Sequence, residues 1–290
     1  MFGKLCKYEY KSIVRTLAPI YLAVIAVSIF NAFVGIGSLA NGYYNNLMSG
    51  LSFGSGILSL LQTISVIAYF GVLVALTVLT LIIVIQRFYK GLLCDEGYLM
   101  FTLPVKPWQL IAAKGTVAFG MSLASFLTAC LSIFILVLGA FGPADVFKLF
   151  TDPQVWAAIN RGIAQVPSWP LLVLELIILT IVGGLVKLYH MYFSMALGHL
   201  SGKRRIMMSV VAFIVISMVF GFINGLAMII LSKVPFFQSF VQRIDMMPGT
   251  QGVALVMHLA LLGSIIYSLI QLAIFFFGTE RILSRRLNLE

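Results

Sequence analysis

Residues 60–85, LLQTISVIAYFGVLVALTVLTLIIVI, run without a single charge, and residues 86–114, QRFYKGLLCDEGYLMFTLPVKPWQLIAAK, then crowd acids, bases, aromatics and two prolines into one connection. The first stretch decides the fold. A hydrocarbon core of about 30 Å needs about 20 residues of helix, and 60–85 supplies more. Five further apolar windows are long enough: 17–37, 115–140, 171–190, 206–231 and 253–277. In lipid only helices and closed barrels satisfy the backbone, and these unbroken runs lack the alternation of barrel strands. The expected fold class is an all-α integral membrane protein, with six transmembrane helices in one membrane domain covering 1–290.

The composition agrees. Of the 290 residues, 61% are hydrophobic and 10% charged, against roughly 25% charged in a soluble domain. The net charge of +10 is explained by topology rather than by a nucleic-acid partner. With the N-terminus inside, the inner segments hold Lys4, Lys7, Lys11, Arg15, Arg87, Lys90, Lys106, Lys114, Lys187, Lys203, Arg204, Arg205, Arg281, Arg285 and Arg286, fifteen of the 19 basic residues. The outer segments hold Lys148, Arg161, Lys233 and Arg243, and the first outer loop, 38–59, is uncharged. The positive-inside rule then puts both termini in the cytoplasm. A cleaved signal peptide is not expected, because the first apolar run exceeds a usual h-region and its removal would upset this asymmetry. Cys6, Cys94 and Cys130 are odd in number and lie on the inner side or within the membrane, so no disulfide is expected.

Residues 1–16 place Lys4, Lys7, Lys11 and Arg15 on one helical stripe. They read either as an interfacial helix whose bases meet anionic headgroups or as a charged flank that orients the first span. Two spans carry stripes of small residues: Gly115, Ala118, Ser122, Ser125, Ala129 and Ser132 in the third, and Ser217, Gly221, Asn224, Gly225, Met228 and Ser232 in the fifth. Such stripes let helices approach closely. Ser122, Ser125, Ser132, Ser217, Gly221, Asn224 and Gly225 are therefore candidates for a packing face or a pore face. In the outer loop 141–170 an amphipathic helix is expected near Gln154 to Ala164, with Trp156 and Trp169 at headgroup depth.

Several chemistries lack their residues. No G-x-x-x-x-G-K-[ST] phosphate loop occurs, so any ATP must be bound by another chain. His190, His199 and His258 are scattered, with no H-E-x-x-H helix, and there is no G-x-S-x-G. Neither a metal, a cofactor nor a catalytic residue is expected. Glu175 is the one acid inside a predicted span, which makes it a functional candidate. It lies only about 6 Å past Leu171, shallow enough to snorkel to the outer interface.

The connection after 85 repays closer reading. Asp95 and Glu96 suit the first turn of a short helix through Tyr98, Leu99, Met100 and Phe101. Pro104 ends it, and Pro107 is placed to start the next helix. From the residues alone this is either a docking helix for a partner's groove or a tight connection folded back on its own bundle.

GLLCDEGYLMFTLPVKPWQLIAAK at 91–114, together with the opening KLCKYEYKSIVRTLAPIY at 4–21, resembles the permease subunits of type-2 ATP-binding-cassette (ABC) transporters, particularly those of clostridia-like Gram-positive bacteria. The resemblance implies a bacterial plasma-membrane protein. It also implies a coupling helix over about 91–105 that docks into a separate ATPase subunit, with Asp95, Glu96, Gly97, Tyr98, Leu99, Met100, Phe101, Thr102, Leu103 and Pro104 at the contact. Leu99, Phe101 and Leu103 would give apolar contact there. A second permease, identical or paralogous, would pair through the spans, and the cargo would be a lipid, polysaccharide precursor, drug or antimicrobial peptide. One departure stands out: the family's re-entrant outer element commonly lies between spans five and six, whereas the longest outer loop here precedes span four. Two other readings stay open, a secondary carrier working through Glu175 and a non-transporting scaffold or immunity protein.

Overall fold

Eight helices make up nearly all of the described residues, 2–45, 52–93, 105–201, 204–235, 239 and 250–285, in a computed structural model. In chain order they are α1 (Phe2–Asn45), α2 (Ser52–Phe88), α3 (Pro107–Phe141), α4 (Pro143–Thr151), α5 (Pro153–Ala164), α6 (Trp169–His199), α7 (Arg205–Lys233) and α8 (Gln251–Arg285). No strand occurs among the described residues. Six of them, α1, α2, α3, α6, α7 and α8, are long and apolar enough to cross a membrane, and each of the six windows expected from sequence falls within one. The helices overrun those windows because intrahelical hydrogen bonding does not stop where the apolar run does. α6, for instance, continues past His190 to His199.

Proline sets several of the starts. α3, α4 and α5 each begin on one, and α6 carries Pro170 as its second residue. The N–H that proline lacks has no intrahelical acceptor at that position, and its φ is already helical. Between α3 and α4 the chain turns at Gly142 with φ 81°, a left-handed conformation open to glycine. The Asp152 carboxylate caps α5 by accepting the Gln154 N–H at 2.8 Å. This is the amphipathic helix expected near Gln154 to Ala164; α4, whose sequence is PADVFKLFT, was not foreseen.

Residues 2–16 are helical and continue into the first span without a break, through Pro19, as the single 44-residue helix α1. Lys4, Lys7, Lys11 and Arg15 are exposed, while Ile13 and Leu17 on another side of α1 are buried with Val117 and Met121 of α3.

The chain divides into two units, with boundaries inside helices: residues 3–84 with 116–157, and residues 1–2 with 85–115 and 158–290. The unit of 3–84 and 116–157 holds its helices together by small residues and hydroxyls. A Cβ on Gly139 of α3 would fall 2.3 Å from the Cα of Ala32 on α1, so only glycine permits that approach. In the other unit α6 is central and packs along both α7 and α8. Large side chains such as Phe70, Leu127, Ile181, Phe222 and Ile266 are exposed, as suits helices whose surroundings are lipid tails rather than water.

Candidate functional site

The connection singled out by sequence begins as a clamped structure. α2 runs on into a π-type turn, Tyr89–Leu93, with Gly91, Leu92 and Leu93 buried. The return stem, the start of α3, buries Leu110, Ile111, Ala113 and Lys114. The two stems meet at Gly91, where a Cβ would fall 2.6 Å from Lys114 Nζ. Both also rest on the last turns of α6. Phe88, wholly buried, stacks on Tyr192 with ring centroids 3.8 Å apart and planes at 11°. Gly115 lies under Tyr189, whose hydroxyl leaves no room for a Cβ there. Tyr189 in turn meets Tyr192 and Phe276 edge-on, at 5.8 and 5.4 Å, which ties α6 to α8.

His199 closes the arrangement from the end of α6. Arg205, the first residue of α7, donates to its Nε2 at 3.3 Å, and the same ring hydrogen-bonds the backbone of Leu93. Arg204 precedes α7 with φ 60°. A shallow recess of about 370 Å³ lies between Tyr89 and Arg204, Arg205, Ile206 and Met207. The coupling residues expected from sequence, Asp95, Glu96, Gly97, Tyr98, Leu99, Met100, Phe101, Thr102, Leu103 and Pro104, lie outside the described residues. The structure gives the two ends between which that segment is strung.

The two small-residue stripes part company. On α3, Ser125 and Ser132 are buried in polar contacts. Ser125 Oγ lies 2.7 Å from the Tyr21 hydroxyl and 2.9 Å from Thr80 Oγ1, and Ser132 Oγ lies 2.7 Å from the Tyr69 hydroxyl. Ser122 is exposed and bonds its own helix, donating to the Ala118 carbonyl at 2.9 Å. On α7, Ser217, Gly221, Asn224 and Gly225 are all exposed, and a Cβ on either glycine would meet nothing within 4 Å. The α3 stripe packs within the chain. The α7 stripe packs against nothing described.

Glu175 does not snorkel as a lone acid. His258 of α8 comes to it, with Nδ1 at 2.9 and 3.0 Å from the two carboxylate oxygens, and the two side chains are only 19% (His258) and 13% (Glu175) exposed. The other ring nitrogen meets Ser168, whose Oγ is 2.7 Å from Nε2. Sequence reading missed this trio because Ser168 and Glu175 stand 90 and 83 residues from His258. His190, farther along α6, lies between Phe213 and Phe275 with ring centroids 4.5 and 4.9 Å away. Its Nε2 has no hydrogen-bond partner among the described residues.

Known protein families, curated proteins and solved structures offer no match to this chain. What can be said of its function rests on its own residues.

Proposed function

We propose that this chain is the membrane-spanning permease subunit of an ATP-binding-cassette exporter. It would move an amphiphilic substrate, lipid-like or peptide, across a bacterial plasma membrane with ATP hydrolysed by a separate ATPase subunit. Six membrane-crossing helices are the coarse requirement. The observation that carries the finer reading is the clamp: both stems of the 94–104 segment are buried, one of them through the 3.8 Å stack of Phe88 on Tyr192 of α6. A docking segment would transmit force only if its ends were fixed to the helices that move, and stems buried against α6 support that reading. The motifs quoted above from 91–114 and 4–21 add the family likeness, and the bare small-residue face of α7 is where a second permease would find room to pack closely.

The carrier reading has one observation in its favour, the hydrogen-bonded contact of Glu175 with His258. Glu175 lies about 9 Å beyond the start of α6, however, near the end of the span, whereas coupling-ion sites in carriers lie near the midplane.

The deciding experiment is affinity purification of the tagged, detergent-solubilised full chain with its host's membrane proteins. The expected result is an ATPase in stoichiometric ratio, lost in the Phe101→Asp/Leu103→Asp double variant while the helical content is unchanged. Wild-type ATPase association and transport in that variant would remove coupling through this segment. Gradient-driven transport by the chain alone in vesicles would replace the proposal with the carrier reading.

A further inference from the structure

Ser168 sits where an ordinary serine seldom does. Its backbone is left-handed, φ 55° and ψ 30°, and it is one of only two non-glycine residues with positive φ among those described. It leads directly into α6. A serine on a strained turn that feeds a helix is the local geometry by which hydrolases lift a nucleophile clear of the backbone and set the following amide to receive negative charge. Here the following amide is that of Trp169, at the positive end of α6. The Ser168 carbonyl accepts from Leu171 at 2.9 Å and Leu172 at 3.3 Å, and Pro170 has no N–H to offer.

The side chains complete the relay. A carboxylate accepts hydrogen bonds, so Glu175 favours the tautomer with the proton on His258 Nδ1, which leaves the Nε2 lone pair facing Ser168 Oγ at 2.7 Å. The hydroxyl can then donate to that lone pair. Ser168 Oγ also lies 2.6 Å from the Pro167 carbonyl. The hydroxyl proton therefore has two acceptors within reach, the Pro167 carbonyl and His258 Nε2, and passes to the imidazole as Oγ attacks. The nucleophile is exposed while the acid and the base behind it are mostly covered. The loop is pinned as well: Thr250, two helical turns before His258 on the same chain segment, donates to the Gln165 carbonyl.

We propose that Ser168, His258 and Glu175 form a hydrolytic site for carboxylic esters of membrane amphiphiles. The depth selects the substrate class. Ser168 precedes the exposed Trp169 at the first residue of an apolar span, the level of the membrane interface favoured by tryptophan, where the ester carbonyls of lipids lie. In the first step Ser168 Oγ bonds to the acyl carbon as its proton passes to His258 Nε2. The C–O bond to the leaving alcohol then breaks and that proton goes to the alcohol. Water next attacks the acyl-serine, gives a proton to Nε2, and the acid leaves as Ser168 takes the proton back. Ser168 and His258 are the catalytic residues; Glu175 is a positioning residue that fixes the tautomer. The site needs no ATPase, so it stands or falls separately from the transport proposal.

The test uses the full chain in lipid nanodiscs. A fluorophosphonate probe should modify Ser168, located by peptide mass spectrometry, and a long-chain fluorogenic ester in the same bilayer should be hydrolysed. Ser168→Ala should abolish both and His258→Gln should slow both by about 10³-fold or more. Ser168→Cys should restore acylation. Glu175→Gln should lower kcat with little change in KM, and Glu175→Asp should recover part of it, which a purely structural contact would not produce. Folding of each variant is checked by its thermal transition. A well-folded wild type that leaves Ser168 unlabelled overturns the proposal, as does ester hydrolysis that survives in Ser168→Ala. Hydrolysis of short soluble esters alone would overturn the assignment to amphiphiles.

Discussion

Replacing Phe88 with alanine tests whether the stems after 85 are truly clamped to α6. The ring is fully buried and lies face to face with Tyr192 at 3.8 Å. Truncating a buried phenylalanine costs about 3–5 kcal/mol, of which a well-placed aromatic pair accounts for about 0.5–1.5 kcal/mol beyond area burial. Phe88→Leu keeps most of the volume and loses chiefly the ring pair, so its cost should be about 1–2 kcal/mol. The assay is unfolding of the purified chain in mild detergent, with Phe88→Leu, Tyr192→Leu and the double variant forming a cycle. The single Phe88→Ala change should lower Tm by roughly 6–20 °C. The cycle should return a coupling of about 1 kcal/mol between the rings. In the proposed transporter, Phe88→Leu should also still bind the ATPase yet transport less per ATP hydrolysed, because the docking surface survives and its anchor is slackened. A Phe88→Ala variant within about 0.5 kcal/mol of wild type, the range of an uninvolved surface change, would refute the clamp.

Gly139→Ala should destabilise the bundle by about 1–3 kcal/mol, because its Cβ would fall 2.3 Å from the Ala32 backbone. Gly221→Ala, with nothing within 4 Å, should show no loss in the monomeric chain, and both are read from the same unfolding curves. Ser132→Ala should cost about 1–3 kcal/mol, since it leaves the buried Tyr69 hydroxyl without its 2.7 Å partner. Ser125→Ala should cost about 0.6 kcal/mol, a typical value for one hydrogen bond in a membrane bundle. Tyr21 still donates to the Met121 carbonyl at 3.2 Å and Thr80 to the Leu76 carbonyl at 2.7 Å. Equal losses at 125 and 132 would contradict that ranking.

The membrane-crossing helices were legible in the sequence because hydropathy reports directly on the transfer of a helix into lipid, and proline reports on where a helix can start. Pro107 marks the start of α3 in both readings. Partnership between faces was not legible. The stripes on α3 and α7 look alike as strings, yet Ser125 and Ser132 are enclosed while Gly221 and Gly225 are bare. Periodicity tells which residues share a face and is silent on what the face meets. The same blindness hid the Glu175–His258 contact across 83 residues. The acid's shallow position made an isolated, snorkelling carboxylate the natural expectation, and only the packing of α8 along α6 brings a histidine to it. Ser168 left no signal either, because its left-handed backbone is set by the turn into α6 and not by a glycine that could be read in advance.

α6 connects the two sites, and its length explains how one chain could serve both. Its 31 residues span roughly 46 Å at about 1.5 Å per residue, with Tyr189, Tyr192 and His199 gripping the stems at one end and Glu175 near the other. Along the way His190 is held between Phe213 of α7 and Phe275 of α8, and Gly198 lies so close to Ser209 of α7 that a Cβ would fall 2.3 Å from its backbone nitrogen. Contacts this close cannot slide smoothly, since packed interiors shift between discrete arrangements rather than deform. A pull on the stems is therefore shared by α6, α7 and α8 before it is lost in bending. An ATPase docked on 94–104 would in this way move three membrane helices for one contact, and the rearrangement would reach the far end where Ser168 and His258 stand. If both the transport and the ester-hydrolysis proposals hold, hydrolysis by the isolated chain and its rate during ATP turnover would be coupled. If the α6 contacts transmit as argued, Phe88→Leu should leave the basal ester rate unchanged and reduce its response to ATP. An ATP response that survives Phe88→Leu at full size would show that motion reaches Ser168 by a route other than α6.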